Sequence, residues 1–227
     1  MDQFFTSFGS SLDIFGFVLF ILVFPVYHAL YPLLARTLTD QVKRARFDAF
    51  RESWIEGLIE RRDLIAAAQQ TRNLTMVNSV LVSSSLILMG LTANFLVQLP
   101  ELGPQIPHPE AWAAHPEALR SKLYLLIIAF ALAFSFFMTS LRHLGHFVLV
   151  IGTDPKLVNQ FEGSPVKYFS GLINRASHRY TLGVRCFYSA FPLFAWLFDS
   201  WVFILLTLFW GVKFIGFQDF SHIIRKK

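Results

Sequence analysis

Apolar residues along this chain gather into long uncharged runs, and charged residues gather between them. One run lasts from about Leu12 to Ala35, with Pro25 inside it and Pro32 near its end. A second fills Leu74 to Val97 and a third Leu123 to Leu141. The second run, about 24 residues without a charge, is long enough as a helix to cross a bilayer core of roughly 30 Å. The last apolar block, Cys186 to Phe217, exceeds one ordinary span and is interrupted at Asp199-Ser200. An uncut Asp199 at mid-bilayer would be costly, so the pattern predicts two helices joined by a tight turn there. The expected architecture is all-α. It is a polytopic membrane bundle with spans at about 12–35, 74–97, 123–141, 180–198 and 201–220, within a single membrane domain. The third helix is expected to continue past Arg142 to Val150. Pro25 should kink the first span.

Between the first two runs the pattern changes. From Asp40 to Gln70 acids and bases mix, and Phe47, Phe50, Trp54, Leu58, Ile59, Ile65 and Ala66 recur near helical spacing. Glu52, Glu56 and Glu60 stack at four-residue intervals on the polar face. The spacing predicts an amphipathic cytoplasmic helix that runs into the second span and lies along the headgroups or docks a partner. The connector of about 98–122 carries Pro100, Pro104, Pro107, Pro109 and Pro116. It reads as an extended outer loop.

Charge sets the orientation. All Lys and Arg except Arg120, Lys122 and Lys213 fall in Arg36–Arg72, in Arg142–Arg185 or in the Arg225–Lys227 tail. Basic residues concentrate on the cytoplasmic side of a membrane. Five spans satisfy that rule, with the N-terminus outside, cytoplasmic loops at about 36–73 and 142–179, and the tail inside. A single final helix would put the tail outside. The N-terminus has no basic region and no small-residue cleavage site before Arg36, so the first span is expected to stay in the mature protein.

Composition agrees with a membrane class: 54% hydrophobic residues, a mean hydropathy of +0.49 and 26 Phe. The net charge of +5 lies in loops that flank membranes, where anionic headgroups attract it, so no nucleic-acid partner is expected. The lone Cys186 excludes an internal disulfide and a thiol metal cluster, and it is expected to be a buried, inert thiol.

Candidate chemistry is sparse. Thr75, Ser79 and Ser83 share a helix face, with Gly90 and Asn94 nearby, a pattern that suits a polar pathway through the protein or, more readily, a seam of close helix packing. Ser135, Thr139, Arg142, His143 and His146 share one side of the third helix and gather polarity at its cytoplasmic end. Such a group can hold a phosphate or a headgroup, or it can cap the helix. Arg72, with Asn73 beside it, Arg142 and Arg185 each stand where a different span meets the inner interface. Together with His146 they are the candidates for binding an anion or headgroup. His28, between the two prolines, could pair with His143 or His146 as axial ligands of a haem, but the di-His motif of known membrane cytochromes is missing. No zinc, nucleotide or nucleophile motif occurs. The sequence calls for no catalytic residue and no cofactor.

Three of these segments carry a resemblance. Gln69–Ser79, Arg142–Ile151 and Thr181–Phe198 resemble the family called domain of unknown function 599. The matching positions are Thr71, Arg72, Asn73 and Met76, then Arg142 and His146. The third set is Leu182, Gly183, Arg185, Tyr188, Pro192, Leu193 and Trp196. Asp199-Ser200 stands where the family commonly has Gly-Pro, and His143 is not a family-like position. The resemblance implies an integral membrane protein and no activity. The expected partners are the bilayer, its anionic headgroups and other membrane subunits or further copies of the chain. The expected role is that of a non-catalytic accessory subunit in a bacterial-type inner membrane. The alternatives are an oligomeric channel for small solutes or anions and, more weakly, a haem- or quinone-binding protein.

Overall fold

The computed structural model describes residues 11–27, 43–102 and 116–214. Among them lie seven helices and no strand. Helix α1 (Ser11–Ile21) continues directly into a π-helical turn, Leu22–Val26. Pro25 has no N–H and its ring crowds the carbonyl one turn back. The backbone answers by widening, so that the Tyr27 N–H reaches the Leu22 carbonyl five residues away.

Helix α2 (Lys43–Arg61) does not run into the next span as the periodicity predicts. Arg62 takes the left-handed conformation (φ 52°), which ends α2. The Asp63 carboxylate then accepts the Ala66 N–H and caps α3 (Leu64–Leu102). Helix α4 spans Pro116–Val150, which carries the third expected span past Arg142 as anticipated.

The segment expected as the second cytoplasmic loop, 142–179, is helical almost throughout. After the end of α4 come the short α5 (Pro155–Glu162) and α6 (Pro165–Ala195). Asp154 and Ser164 cap them, each followed by a proline at the first helical position. Helix α7 (Ser200–Val212) begins at the predicted break, where the Asp199 carboxylate accepts the N–H groups of Trp201 and Val202 at 2.7 and 2.9 Å. The outer connector is shorter than 98–122, because α3 and α4 extend into it. Residues 28–35 of the expected first span and 215–220 of the last lie outside the described residues.

Helix α4 is the centre of the bundle. It packs antiparallel to α6 along most of its length, and α3 packs antiparallel on it as well. Helix α7 folds back on α6, and α1 lies parallel to α7: Gly16 meets Phe203 and Ile204, while Val23 meets Gly211. Two separate cores result. One joins Phe20, Leu123, Leu126, Leu193, Trp196 and Phe203 from α1, α4, α6 and α7. The other joins Ile55, Leu58, Leu144, Phe147, Phe169 and Leu172, so that α2 covers the first half of α6 instead of lying free. Of the apolar positions that predicted α2's inner face, Phe47 and Phe50 are exposed and Leu58 is buried, together with Ile55.

Two helices, α3 and α4, are long and apolar enough to cross a membrane. Residues 11–26 and α7 form shorter apolar helices. Helix α6 carries Lys167, Arg175, Arg179 and Arg185 among its 31 residues.

Candidate functional site

Polar groups cluster at three levels of the bundle, buried at the first two and largely exposed at the third. At the end where α1 begins, Asp13 is buried and accepts hydrogen bonds from Trp196 Nε1 and Ser200 Oγ, both at 2.5 Å. Lys122 Nζ lies 3.5 Å from the same carboxylate and donates to the Trp196 carbonyl at 3.2 Å. It also stands 4.7 Å above the Trp196 ring, which stacks on Phe203 at 4.4 Å. Four helix ends meet in this clamp. Its charges cancel inside the chain.

In the middle, Asn78 of α3 donates to Ser140 of α4, and Ser140 donates to the Ala176 carbonyl of α6, each at 2.8 Å. A polar relay thus ties the three central helices. Beside Ala67, the buried residues of α3 are Thr71, Asn78, Ser85 and Leu99, seven apart with half-buried Thr92 completing the repeat. The face expected as the packing seam turns outward instead. Ser79, Ser83, Gly90 and Asn94 are exposed, and the Ser79 hydroxyl bonds the Thr75 carbonyl of its own helix. Four-residue spacing found a true helix face but the wrong side. The sevenfold repeat, the period at which one helix stays in register along another, was the signal available.

At the opposite end, past the apolar run of α4, cations collect. Arg142, His143 and His146 stand on α4, and Arg175 and Arg179 on the facing part of α6. His146 Nε2 and the Tyr168 hydroxyl are 3.1 Å apart. The Arg179 guanidinium lies over the Phe136 ring at 5.9 Å. Partial burial lowers the His143 pKa, and the charges of Arg175, Arg179, Arg142 and His146 lower it further. Thr139, Arg142, His143, Gly145, His146 and Leu149 line an open notch of about 580 Å³. Among the described residues no carboxylate forms an ion pair with these arginines.

The five candidates from the sequence therefore divide. Arg142 and His146 stand together at the notch. Arg72 and Asn73 are exposed on α3. Arg185 is buried, its guanidinium 5.7 Å from the centre of the Phe214 ring. It lies ten residues further along α6 than Arg175, about 15 Å at the rise of a helix, so the fold does not bring it to the notch. His28 lies outside the described residues. Arg175 and Arg179 were not singled out from the sequence. Their four-residue spacing was visible, but their pairing with Arg142 depends on how α6 docks.

The third family-like segment forms the packed side of α6. A side chain at Gly183 would sit 2.6 Å from the Phe137 ring, Tyr188 stacks on Trp210 at 4.4 Å, and Leu193 and Trp196 are core residues. No characterised protein and no solved structure matches the chain. Residues 15–222 match the family described as a protein of unknown function, DUF599, and the chain belongs to that family.

Proposed function

We propose that this chain is a five-span integral protein of a bacterial-type inner membrane. It acts without catalysis, as a structural or accessory subunit of a larger membrane assembly. The observation that carries this reading is the exposure of α3. Only 6% of its most apolar window is buried within the chain, and Val80, Ile87, Leu91 and Val97 all face outward. The core helix of a protein in water would be covered, and water tolerates contiguous apolar surface poorly. Acyl chains or partner helices would cover this one.

The helix directions support five crossings. Helices α1, α4 and α7 run one way and α3 and α6 the other, with α2, α5 and the cationic notch at one end. The positive-inside rule makes that end cytoplasmic and leaves the N-terminus outside. Exposed Phe15 and Phe209 on α1 and α7 add apolar faces fit for lipid or partner helices. The channel alternative draws less support. Ser79, Ser83 and Ser135 are exposed on their helices and line no path inside one chain.

Purification in mild detergent, with mass spectrometry of whatever accompanies the chain, tests the role. The expected result is a complex much larger than the chain with constant foreign subunits. A homo-oligomer that conducts anions in planar bilayers would replace this reading with the channel. Release from membranes by alkaline carbonate would end the integral-membrane reading itself.

A further inference from the structure

We infer that the cationic cluster made by Arg142, His143 and His146, which line a notch on α4, and by Arg175 and Arg179 of the neighbouring α6 is a binding site for a phosphate group, carried either by an anionic lipid headgroup or by free phosphate. The fold registers the two helices here. The Ser140–Ala176 hydrogen bond lies beside the turns that carry Arg142 and His143 on one helix and Arg175 and Arg179 on the other. His143 is within electrostatic reach of all four other cations. Two of the donors are already oriented, His146 against the Tyr168 hydroxyl and Arg179 over Phe136. Gly145 borders the notch, and nothing lies within 4 Å of where its Cβ would stand, so the approach is open.

Three cations elsewhere among the described residues sit in ion pairs: Arg51 with Asp48, Arg120 with Glu117, and Lys122 with Asp13. At this cluster three arginines and two histidines gather, and among the described residues none of the arginines forms an ion pair. Like charges held this close repel, and a bound anion offsets that repulsion. Guanidinium forks match the oxygens of a phosphate in pairs, and imidazole adds a further donor. An anion with several oxygens and more than one charge suits donors arriving from two helices better than a single flat carboxylate does. The first cation of the notch, Arg142, stands one residue past the apolar run Leu123–Leu141, the level at which lipid phosphates meet a membrane helix. Only the lipid source rests on the membrane reading; the phosphate chemistry stands without it.

The test uses the full-length chain in mixed micelles with equal phosphatidylglycerol and phosphatidylcholine. Retained lipid is read by native mass spectrometry, and inorganic phosphate serves as competitor. Phosphatidylglycerol should be retained preferentially. R175Q/R179Q should weaken retention by about fivefold per arginine, roughly 25-fold together. R120Q, away from the notch, should leave retention unchanged. If millimolar phosphate binds the delipidated chain and no lipid preference exists, the source is free phosphate. If lipid is preferred and phosphate cannot compete, the source is the lipid. The proposal is overturned if the wild-type chain shows neither preference nor phosphate binding, or if R175Q/R179Q binds as the wild type does. Thermal melts verify that the variants fold. Should the double variant fail to fold, R142Q on the opposite helix and the wild-type competition decide. A chain that proves soluble without detergent still reads out phosphate binding by calorimetry, so failure of the membrane reading remains distinguishable.

Discussion

The two ends of the bundle treat charge in opposite ways. At the Asp13 end, one carboxylate, one ammonium, an indole and a hydroxyl close on each other within the chain. At the Arg142 end, cations from two helices gather around His143 with no carboxylate paired to the arginines among the described residues. A polar cluster that completes itself serves architecture, because its energy is spent holding helices together. One that stays electrostatically incomplete is fitted to something from outside. That difference gives every expectation below its direction: variants at the first end should cost stability, and variants at the second should cost binding.

Breaking the clamp should have the largest effect. Asp13→Ala leaves Lys122 partly buried without its countercharge and strips Trp196 and Ser200 of their acceptor. Loss of one partner of a buried ion pair costs about 3–5 kcal/mol, which reversible unfolding in detergent would measure. The double variant Asp13→Ala/Lys122→Met should recover a large part of that loss, because the stranded charge is gone. A loss below about 1 kcal/mol for the single variant would mean that the clamp is not architectural, and the contrast between the ends would collapse.

Next comes the close approach that aligns both ends. Gly183 leaves room for the Phe137 ring where a Cβ would stand 2.6 Å away. Gly183→Val should force α4 and α6 apart at a cost of about 1–3 kcal/mol. It should also weaken phosphate or headgroup retention, since Arg175 and Arg179 come near His143 only through that packing. Normal retention in a destabilised Gly183→Val protein would show that the notch tolerates displacement of α6.

Some of this was legible in the sequence. Uncharged runs placed the long helices, because period and length are local properties. Asp199 revealed the last turn, because an acid in an apolar block has few roles other than a cap. Arg142 and His146 were found because they are four apart on one helix. What stayed hidden was non-local. Asp13 is an ordinary acid near the N-terminus until α6 brings Trp196 to it, 183 positions away. Arg175 and Arg179 looked like loop charges because their segment was expected to be a loop. Thr71, Asn78 and Ser85 were passed over for Thr75, Ser79 and Ser83, since one helix face looks much like another until its neighbour is known. The break at Arg62 carried no glycine or proline to announce it.

Charge removal at the notch should separate the ends most clearly. In protein stripped of lipid and phosphate, R175Q/R179Q should change stability by no more than about 0.5 kcal/mol, as for most surface substitutions. The sign should be favourable, because like charges are being removed. Thermal melts with and without phosphate would read this as little or no loss in its absence and a lost stabilisation in its presence. A large loss in both conditions would make the cluster structural and the two ends alike.

The smallest effect expected is that of pH on His143. Burial and the surrounding arginines hold its pKa below the ordinary 6.5. The unfolded chain therefore binds this proton more readily than the folded one. Stability is unaffected well above pH 6.5, where both states are neutral. It falls as pH drops through 6.5 toward the lower folded value, and below that it levels off. The ring is only partly buried, so screening should keep this contribution below about 1 kcal/mol. His143→Gln should flatten that part of the pH profile. Phosphate in the notch should act in the opposite direction, since a nearby anion favours the protonated ring. Titrating the imidazole by NMR with and without phosphate would show it: a pKa that rises on phosphate addition marks an anion beside His143. A pKa that stays put while phosphate binds would locate the anion elsewhere on the chain and leave the cations of this end without a partner.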